Sequence, residues 1–466
     1  MTHDEDQQKS LTTARRLLWL YCILWLVEGA LRKWVLPQFS MLLLLIRDPV
    51  VLLIYFYAIR ARVFPANGWI GSFWGISAVI AVQSLCQLIA DVQPVTIIAF
   101  GLRTFVLHLP LIWVVPAVFG RKEITTLGRW MLYLAPFLAA LMVVQFEVGP
   151  DHWLNAATIK GGAQIGSVSG RIRPPAIFSF ISGPIHYFTL CAAFIVAGFL
   201  RKESFPRWLV SVGLVSTLAA MSVSASRSLV VGVIIVAVVG GLASLLTGKN
   251  IGGAIGFGIV LLAAGAFLSK FAILQEGRAA FDERWTFKEE SGGSGGKLLA
   301  DRYGHGFMSA FDWAGRVPLF GLGVGSTSNL AVATKGSLVD VEGEWERVVY
   351  EIGPLTGFLY LAFRAALSLR LIVAGLMALR AGNYLCLLFA SACAAEILSG
   401  NVRQVTTYGY TCVCCGLCLA AFRAFSTDSS SSDTGSSAEA PQPSDMGRPR
   451  IRGRGPLAVG GQPVQS

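Results

Sequence analysis

The sequence predicts an all-α polytopic integral membrane protein with about 12 transmembrane helices and a long external loop between the ninth and tenth. Three observations carry this prediction. Apolar residues make up 54% of the 466 and charged residues only 14%, where a soluble chain has about 25% charged. The apolar residues come in blocks of about 20, the length needed to cross a hydrocarbon core as a helix. The basic residues gather in alternate gaps between those blocks: Arg15 and Arg16, Arg60 and Arg62, Arg121 and Lys122, then Arg201, Lys202 and Arg207. This is the positive-inside pattern, and it places both termini in the cytoplasm.

In chain order the spans are expected near 17–36, 39–58, 69–89, 95–118, 129–147, 178–200, 208–224, 229–246, 251–269, 349–375, 383–400 and 405–422. The first has no small-x-small cleavage site before Arg32 and Lys33, so it reads as an anchor rather than a signal peptide. The tenth lies in an apolar run, Val348 to Leu379, that exceeds one span; Pro354 predicts a kink, with the start of the run standing above the membrane. The resulting division is a cytoplasmic N-terminus (1–16), membrane helices 1–9 (17–269), an external loop (270–347), helices 10–12 (348–424) and a disordered cytoplasmic tail (425–466). The tail is serine-rich at Ser429–Ser432 and basic at Arg448, Arg450, Arg452 and Arg454, too polar to bury a core.

The net charge of +11 is thus accounted for mostly by topology, and nucleic acid is not an expected partner. The nine cysteines lie in the spans, four of them as Cys412, Cys414, Cys415 and Cys418. No histidine or second Cys-x-x-Cys faces that group across a loop, so it reads as helix packing; no metal, cofactor or structural disulfide is expected.

Charges inside spans are costly and mark sites worth explaining. Glu28 near the end of the first span and Arg47 near the start of the second flank the hairpin at Pro37, and a pair between them is expected. Asp48, Arg103, His108 and His186 are the other ionisable groups at such depths. On the external face stand Arg171 and Arg173, Arg227 in the tight turn Ser224–Ser228, and Arg302 in the long loop. Positive charge outside runs against the topological bias, and a guanidinium fork suits phosphate oxygens. The run Val317–Gly325 holds a Gly-x-Gly-x-Gly, but no strand–turn–helix unit surrounds it, which argues against a dinucleotide site. Glu342, Glu344 and Glu346 then head the tenth span, where acids suit a helix N-terminus.

These pieces, taken in order, make the chain resemble the O-antigen polymerase and O-antigen ligase superfamily of bacterial membrane glycosyltransferases. The resemblance covers Arg171 to Phe363. It rests on Arg171–Arg173 before a Phe-Ser-Phe, the Ser-x-Ser-Arg turn at Arg227, Asp301-Arg302 leading to Pro318–Gly323, and the acidic segment leading into Tyr350–Gly357. Ligases of that family carry His-Asn, nine residues, Gly, two residues, then Gly, Thr or Tyr. Gly353 and Thr356 fit this spacing, but Glu342 and Gly343 stand in the His-Asn places, a departure that leaves polymerase or an unnamed branch of the superfamily more open than ligase.

The resemblance implies transfer of a glycan from an undecaprenyl-pyrophosphate donor to an acceptor hydroxyl at the outer leaflet. Arg227, Arg173, Arg171 and Arg302 would bind the pyrophosphate, and Glu342 or Glu344 would serve as base. The implied partners are the lipid-linked glycan, membrane lipids and other polysaccharide-assembly proteins. The Glu28–Pro37 stretch has no counterpart in the family pattern. The competing expectations are a transporter or flippase for a lipid-linked or anionic solute, with Arg47, Arg103 and His108 along its path, and a non-catalytic export partner.

Overall fold

In the computed structural model the described residues are 3–158, 164, 166, 171–200, 205–248, 251–268, 270, 275, 306–328, 330–331, 341 and 343–435. Among them the chain is helical, and the only β pairing is an isolated bridge between Gly166 and Ile172. The helices are α1 (His3–Ala30), α2 (Ser40–Leu43), α3 (Asp48–Arg60), α4 (Gly68–Ile89), α5 (Val95–Leu102), α6 (Leu111–Val118), α7 (Arg121–Glu147), α8 (Ser182–Leu200), α9 (Arg207–Val223), α10 (Arg227–Thr247) and α11 (Ile251–Leu268). After these come α12 (306–314), α13 (Glu344–Arg380), α14 (Tyr384–Ser399) and α15 (Val405–Gly435). Two π-helical turns interrupt the run, Leu31–Val35 after α1 and Arg103–Leu107 after α5.

Seven helical segments are long and apolar enough to cross a membrane, and the bent pair Val95–Leu107 with Leu111–Val118 makes an eighth. The other four expected spans are helical as well but do not meet that measure. Helices α9 and α14 have 17 and 16 residues, about 24–26 Å at 1.5 Å per residue. Helix α11 is apolar over Ile251–Ala263. The uncharged run of α1 is cut to 17–27 by Arg15 and Arg16 on one side and Glu28 on the other.

Burial separates the centre of the bundle from its rim. In α8 and in Val405–Ala424, 89% and 83% of the apolar window is buried, against 33% in Pro37–Arg60 and in α10. The outer helices therefore turn two-thirds of their apolar surface outward, as lipid-facing helices do, and α8 and α15 form the core. Around them α13 packs along α14, α7 along α9, α1 along α3 and α8 along α10.

The expected kink is present and sits one residue early: α13 breaks at Gly353, with φ +77° and ψ 168°, immediately before Pro354. The helical unit is Met1–Phe425, and a second unit is Ser426–Ser466. Helix α15 runs on to Gly435, so residues 425–435 of the expected disordered tail are helical; extending an existing helix avoids the cost of nucleating a new one. The rest of that tail, 436–466, lies outside the described residues, as does much of the expected loop 270–347.

Candidate functional site

The break in α13 frees backbone carbonyls, and in a membrane protein each must find a donor. The glycine-rich segment supplies them. Leu322 N–H donates to Tyr350 O at 2.9 Å and Gly323 N–H to Glu351 O at 3.3 Å. Gln83 of α4 donates Nε2 to Ile352 O at 2.7 Å and to Phe320 O at 2.5 Å. Gln87 grips the same segment from both ends of its amide, donating to Phe320 O at 2.9 Å and accepting from Val324 N–H at 3.0 Å. Gly321 and Gly353 both have positive φ and meet backbone to backbone; a side chain on either would strike the other strand of the clamp. These glycines therefore serve close packing.

The amides that might have cradled a phosphate are engaged inside the protein. Glu351 lies where such an anion would sit. Its Oε2 accepts from Gly325 N–H at 3.2 Å and from Arg347 Nη1 at 3.0 Å. Its Oε1 accepts from Thr327 N–H at 3.2 Å and from the Thr327 hydroxyl. The Gly325 and Thr327 amides of this segment are therefore not open to a phosphate.

Glu351 is the outer edge of a buried ionic network on α13. Glu344 Oε1 accepts from Arg347 Nη2 at 2.9 Å and from Arg364 Nη1 at 2.6 Å; its Oε2 accepts from Arg347 Nε at 2.9 Å. Arg364 also donates to Ile397 O at 2.7 Å and Gly400 O at 2.9 Å, tying α13 to the end of α14. Arg347 lies 4.8 Å over the Phe105 ring. Arg403, in the turn before α15, donates to Thr327 O at 2.8 Å. Burial, and after it the Arg347 charge, hold the Arg403 pKa below the usual guanidinium value.

A second polar cluster joins α1, α3 and the second π turn. The expected pair forms: Arg47 Nε lies 3.3 Å from Glu28 Oε2, and Arg32 Nη1 reaches Glu28 Oε1 at 3.1 Å. Arg47 continues to Val405 O at 2.5 Å, and Trp25 donates to Thr406 O at 2.9 Å, so the end of α1 meets the start of α15. Asp48 accepts from Arg103 and from His108 Nε2, the latter at 2.9 Å, while Tyr21 donates to His108 Nδ1 at 3.1 Å. The in-membrane charges set aside for a transport path are thus fixed in pairs.

The predicted site residues fare differently. Arg171 donates to Phe146 O at 3.3 Å and Glu147 O at 3.1 Å, capping the C-terminus of α7 where a cation is favoured. Arg173 stands two residues on, half-buried, in the loop leading to α8. Arg227 opens α10, half-buried, beneath a turn whose Ser224, Ala225 and Ser226 are all buried. Glu344 faces inward, and its two oxygens are occupied by two arginines, an arrangement suited to holding helices together. Glu342 and Arg302 lie outside the described residues.

Sequence reading did not single out Arg347, Glu351, Gln83, Gln87 or Arg403. The signal for the first two was present as Glu344-x-x-Arg347-x-x-x-Glu351, the i, i+3 and i+4 spacing that aligns charges along one helix face.

Compared with family models, with curated proteins and with solved structures, the chain finds no match.

Proposed function

We propose that this chain is a membrane glycosyltransferase of the O-antigen polymerase or ligase type, working without a metal in a bacterial cytoplasmic membrane. On this reading all twelve apolar helices span, both termini are cytoplasmic, and a glycan passes from undecaprenyl pyrophosphate to an acceptor hydroxyl at the outer leaflet. The observation that carries the reading is that two segments of the family resemblance, Pro318–Gly323 and Tyr350–Gly357, dock on each other through the Leu322 to Tyr350 hydrogen bond of 2.9 Å. Polar contacts join Thr327 to Arg403, and, two residues along the chain, Val405 to Arg47 and on through Glu28 and Arg32 to Ser179 of the Phe-Ser-Phe. Segments that a twelve-span topology puts on the same side are thereby joined.

In the proposed reaction the acceptor oxygen attacks the anomeric carbon, and the bond to the pyrophosphate breaks. Arg227, assisted by Arg173, takes up the charge growing on the leaving pyrophosphate, which a preorganised guanidinium does without a metal. Glu342, standing where the family has histidine, takes the acceptor proton. Glu344 and Arg171 are assigned to the scaffold. The test is incubation of purified, lipid-reconstituted protein with a lipid-linked oligosaccharide. Longer chains or a new conjugate are expected, and substrate that only changes leaflet would establish a flippase instead.

A further inference from the structure

The Glu28–Pro37 stretch, which the family pattern leaves unexplained, holds more positive charge than its surroundings balance. The π turn Leu31–Val35 is closed by Leu36 N–H to Leu31 O at 2.8 Å, and Pro37 ends the helix there. Turns of this kind recur at functional sites. This one presents Arg32, Lys33 and Trp34 in succession to two loops, 153–158 and 176–179. Gly29 lies against the backbone of Ile177–Ser179, an approach too close for any side chain.

Lys33 is 4% exposed and donates to a single acceptor, Ala176 O at 2.6 Å. An ammonium has three donors; beyond this bond the Lys33 ammonium only lies over the Trp34 ring, 4.4 Å from its centroid, so two donors have no oxygen acceptor among the described residues. Arg32 is engaged with Glu28, with Ser40 at 3.2 Å and with Ser179 at 3.5 Å, and its Nη2 makes no bond among the described residues. Beside them the Trp34 indole N–H is buried without an acceptor. In the whole cluster Arg32 and Arg47 share Glu28, Arg103 pairs with Asp48, and Lys33 meets no carboxylate among the described residues, so four cations stand against two acids. Buried charge left uncompensated is costly, above all next to hydrocarbon.

The rim of this cluster is aromatic. Trp34 meets Trp153 edge to face at 6.3 Å, and Trp153 is 64% exposed. Gln145 fixes that rim to the cationic floor, donating to Leu154 O at 2.9 Å and to Ala176 O at 3.2 Å while accepting from Ala176 N–H at 2.8 Å. Tryptophans at a bilayer surface often serve only as an interfacial belt. A belt does not call for unused buried donors beneath it.

We propose that Arg32, Lys33, Trp34 and Trp153 bind an acidic saccharide, a sugar ring against the tryptophans with its oxyanion directed at Lys33 and Arg32. This rests on the reading of the protein as a glycan transferase and adds to it a substrate class: the glycan handled is anionic. A planar aromatic beside a buried cation suits such a ligand because the ring faces take the apolar C–H surface of the sugar and the floor takes its charge.

The test uses the full chain in lipid nanodiscs, titrated with tetragalacturonate, maltotetraose and inorganic phosphate. Tetragalacturonate is expected to bind at least tenfold more tightly than either of the others. Trp153→Ala, on an exposed side chain, is expected to weaken it at least fivefold with unchanged folding, and Lys33→Met at least tenfold. If Lys33→Met does not fold, Trp153→Ala and Lys33→Arg decide the matter. Equal binding of maltotetraose, equal binding of inorganic phosphate, or a Trp153→Ala protein that binds as wild type overturns the site. The same preparations are assayed for transfer from lipid-linked donor. Transfer without any preference for acidic glycans sinks this inference alone, and acid-selective binding without transfer sinks only the transferase reading.

Discussion

Replacing Glu344 separates its two possible roles, because they predict opposite observables. Its carboxylate accepts three charge-assisted hydrogen bonds, two from Arg347 at 2.9 Å each and one from Arg364 at 2.6 Å. Glu344→Ala leaves both guanidiniums buried with one carboxylate, Glu351, between them and on Arg347 only. Removing one partner of a buried pair costs about 3–5 kcal/mol, or roughly two to three and a half orders of magnitude in the folded-to-unfolded ratio. Glu344→Gln keeps the shape and one acceptor oxygen and should fall at the lower end of that range. Adding Arg364→Met removes the stranded charge and should recover part of the loss, giving a coupling of at least about 1 kcal/mol between the sites. Unfolding by SDS titration in mixed micelles, followed by tryptophan fluorescence, reads the stability. Transfer per mole of folded protein reads the chemistry, and it should stay within a few-fold of wild type. A Glu344→Gln protein of wild-type stability whose turnover falls about 10²–10⁴-fold would falsify the scaffold assignment and return Glu344 to the role of base.

Three further perturbations follow from the same geometry. Gly353→Ala puts a side chain on a backbone at φ +77°, ψ 168°, against Gly321 and Leu319; strain alone costs about 1–3 kcal/mol, so SDS unfolding should shift by at least that much, and no shift would refute the clamp. Gln83→Leu strips Ile352 O of its Gln83 donor while Phe320 O keeps Gln87, with an expected loss of about 1–3 kcal/mol for the carbonyl left without that bond, measured in the same titration. Arg227→Lys should be impaired and Arg227→Ala nearly inactive in donor turnover per mole of purified protein, since a point charge does not replace a planar fork; normal turnover in the Ala variant would remove Arg227 from the donor site.

Much of the fold was legible because hydrocarbon imposes simple terms: a helix must be long and apolar, and those runs can be counted in the sequence. The Glu28–Arg47 pair was legible for a related reason, since Pro37 turns the chain back and leaves the two charges at one depth. The kink was legible from Pro354, although the residue that bends is Gly353, which alone tolerates the required φ. What could not be read was partnership across long separations. Gln83 meets Ile352 over 269 positions and Arg47 meets Val405 over 358, and an amide in an apolar helix gives no sign of which distant carbonyl it will serve.

The same distance hid the partners of Glu344. As a member of an acidic helix start it resembled a solvated or catalytic carboxylate, and only Arg364, 20 residues on and brought beside it by the break in α13, makes it an internal counterion. Helix α13 can carry Glu344, Arg347, Glu351 and Arg364 buried because each neutralises another. The end of α1 has no such balance, with Lys33 held by a carbonyl and the face of Trp34 but by no carboxylate among the described residues. Among the described residues the charges of the Glu344–Arg347–Arg364–Glu351 set meet one another while Lys33 meets no carboxylate, and that contrast is why the α1 end, rather than α13, is the place to look for a bound anion.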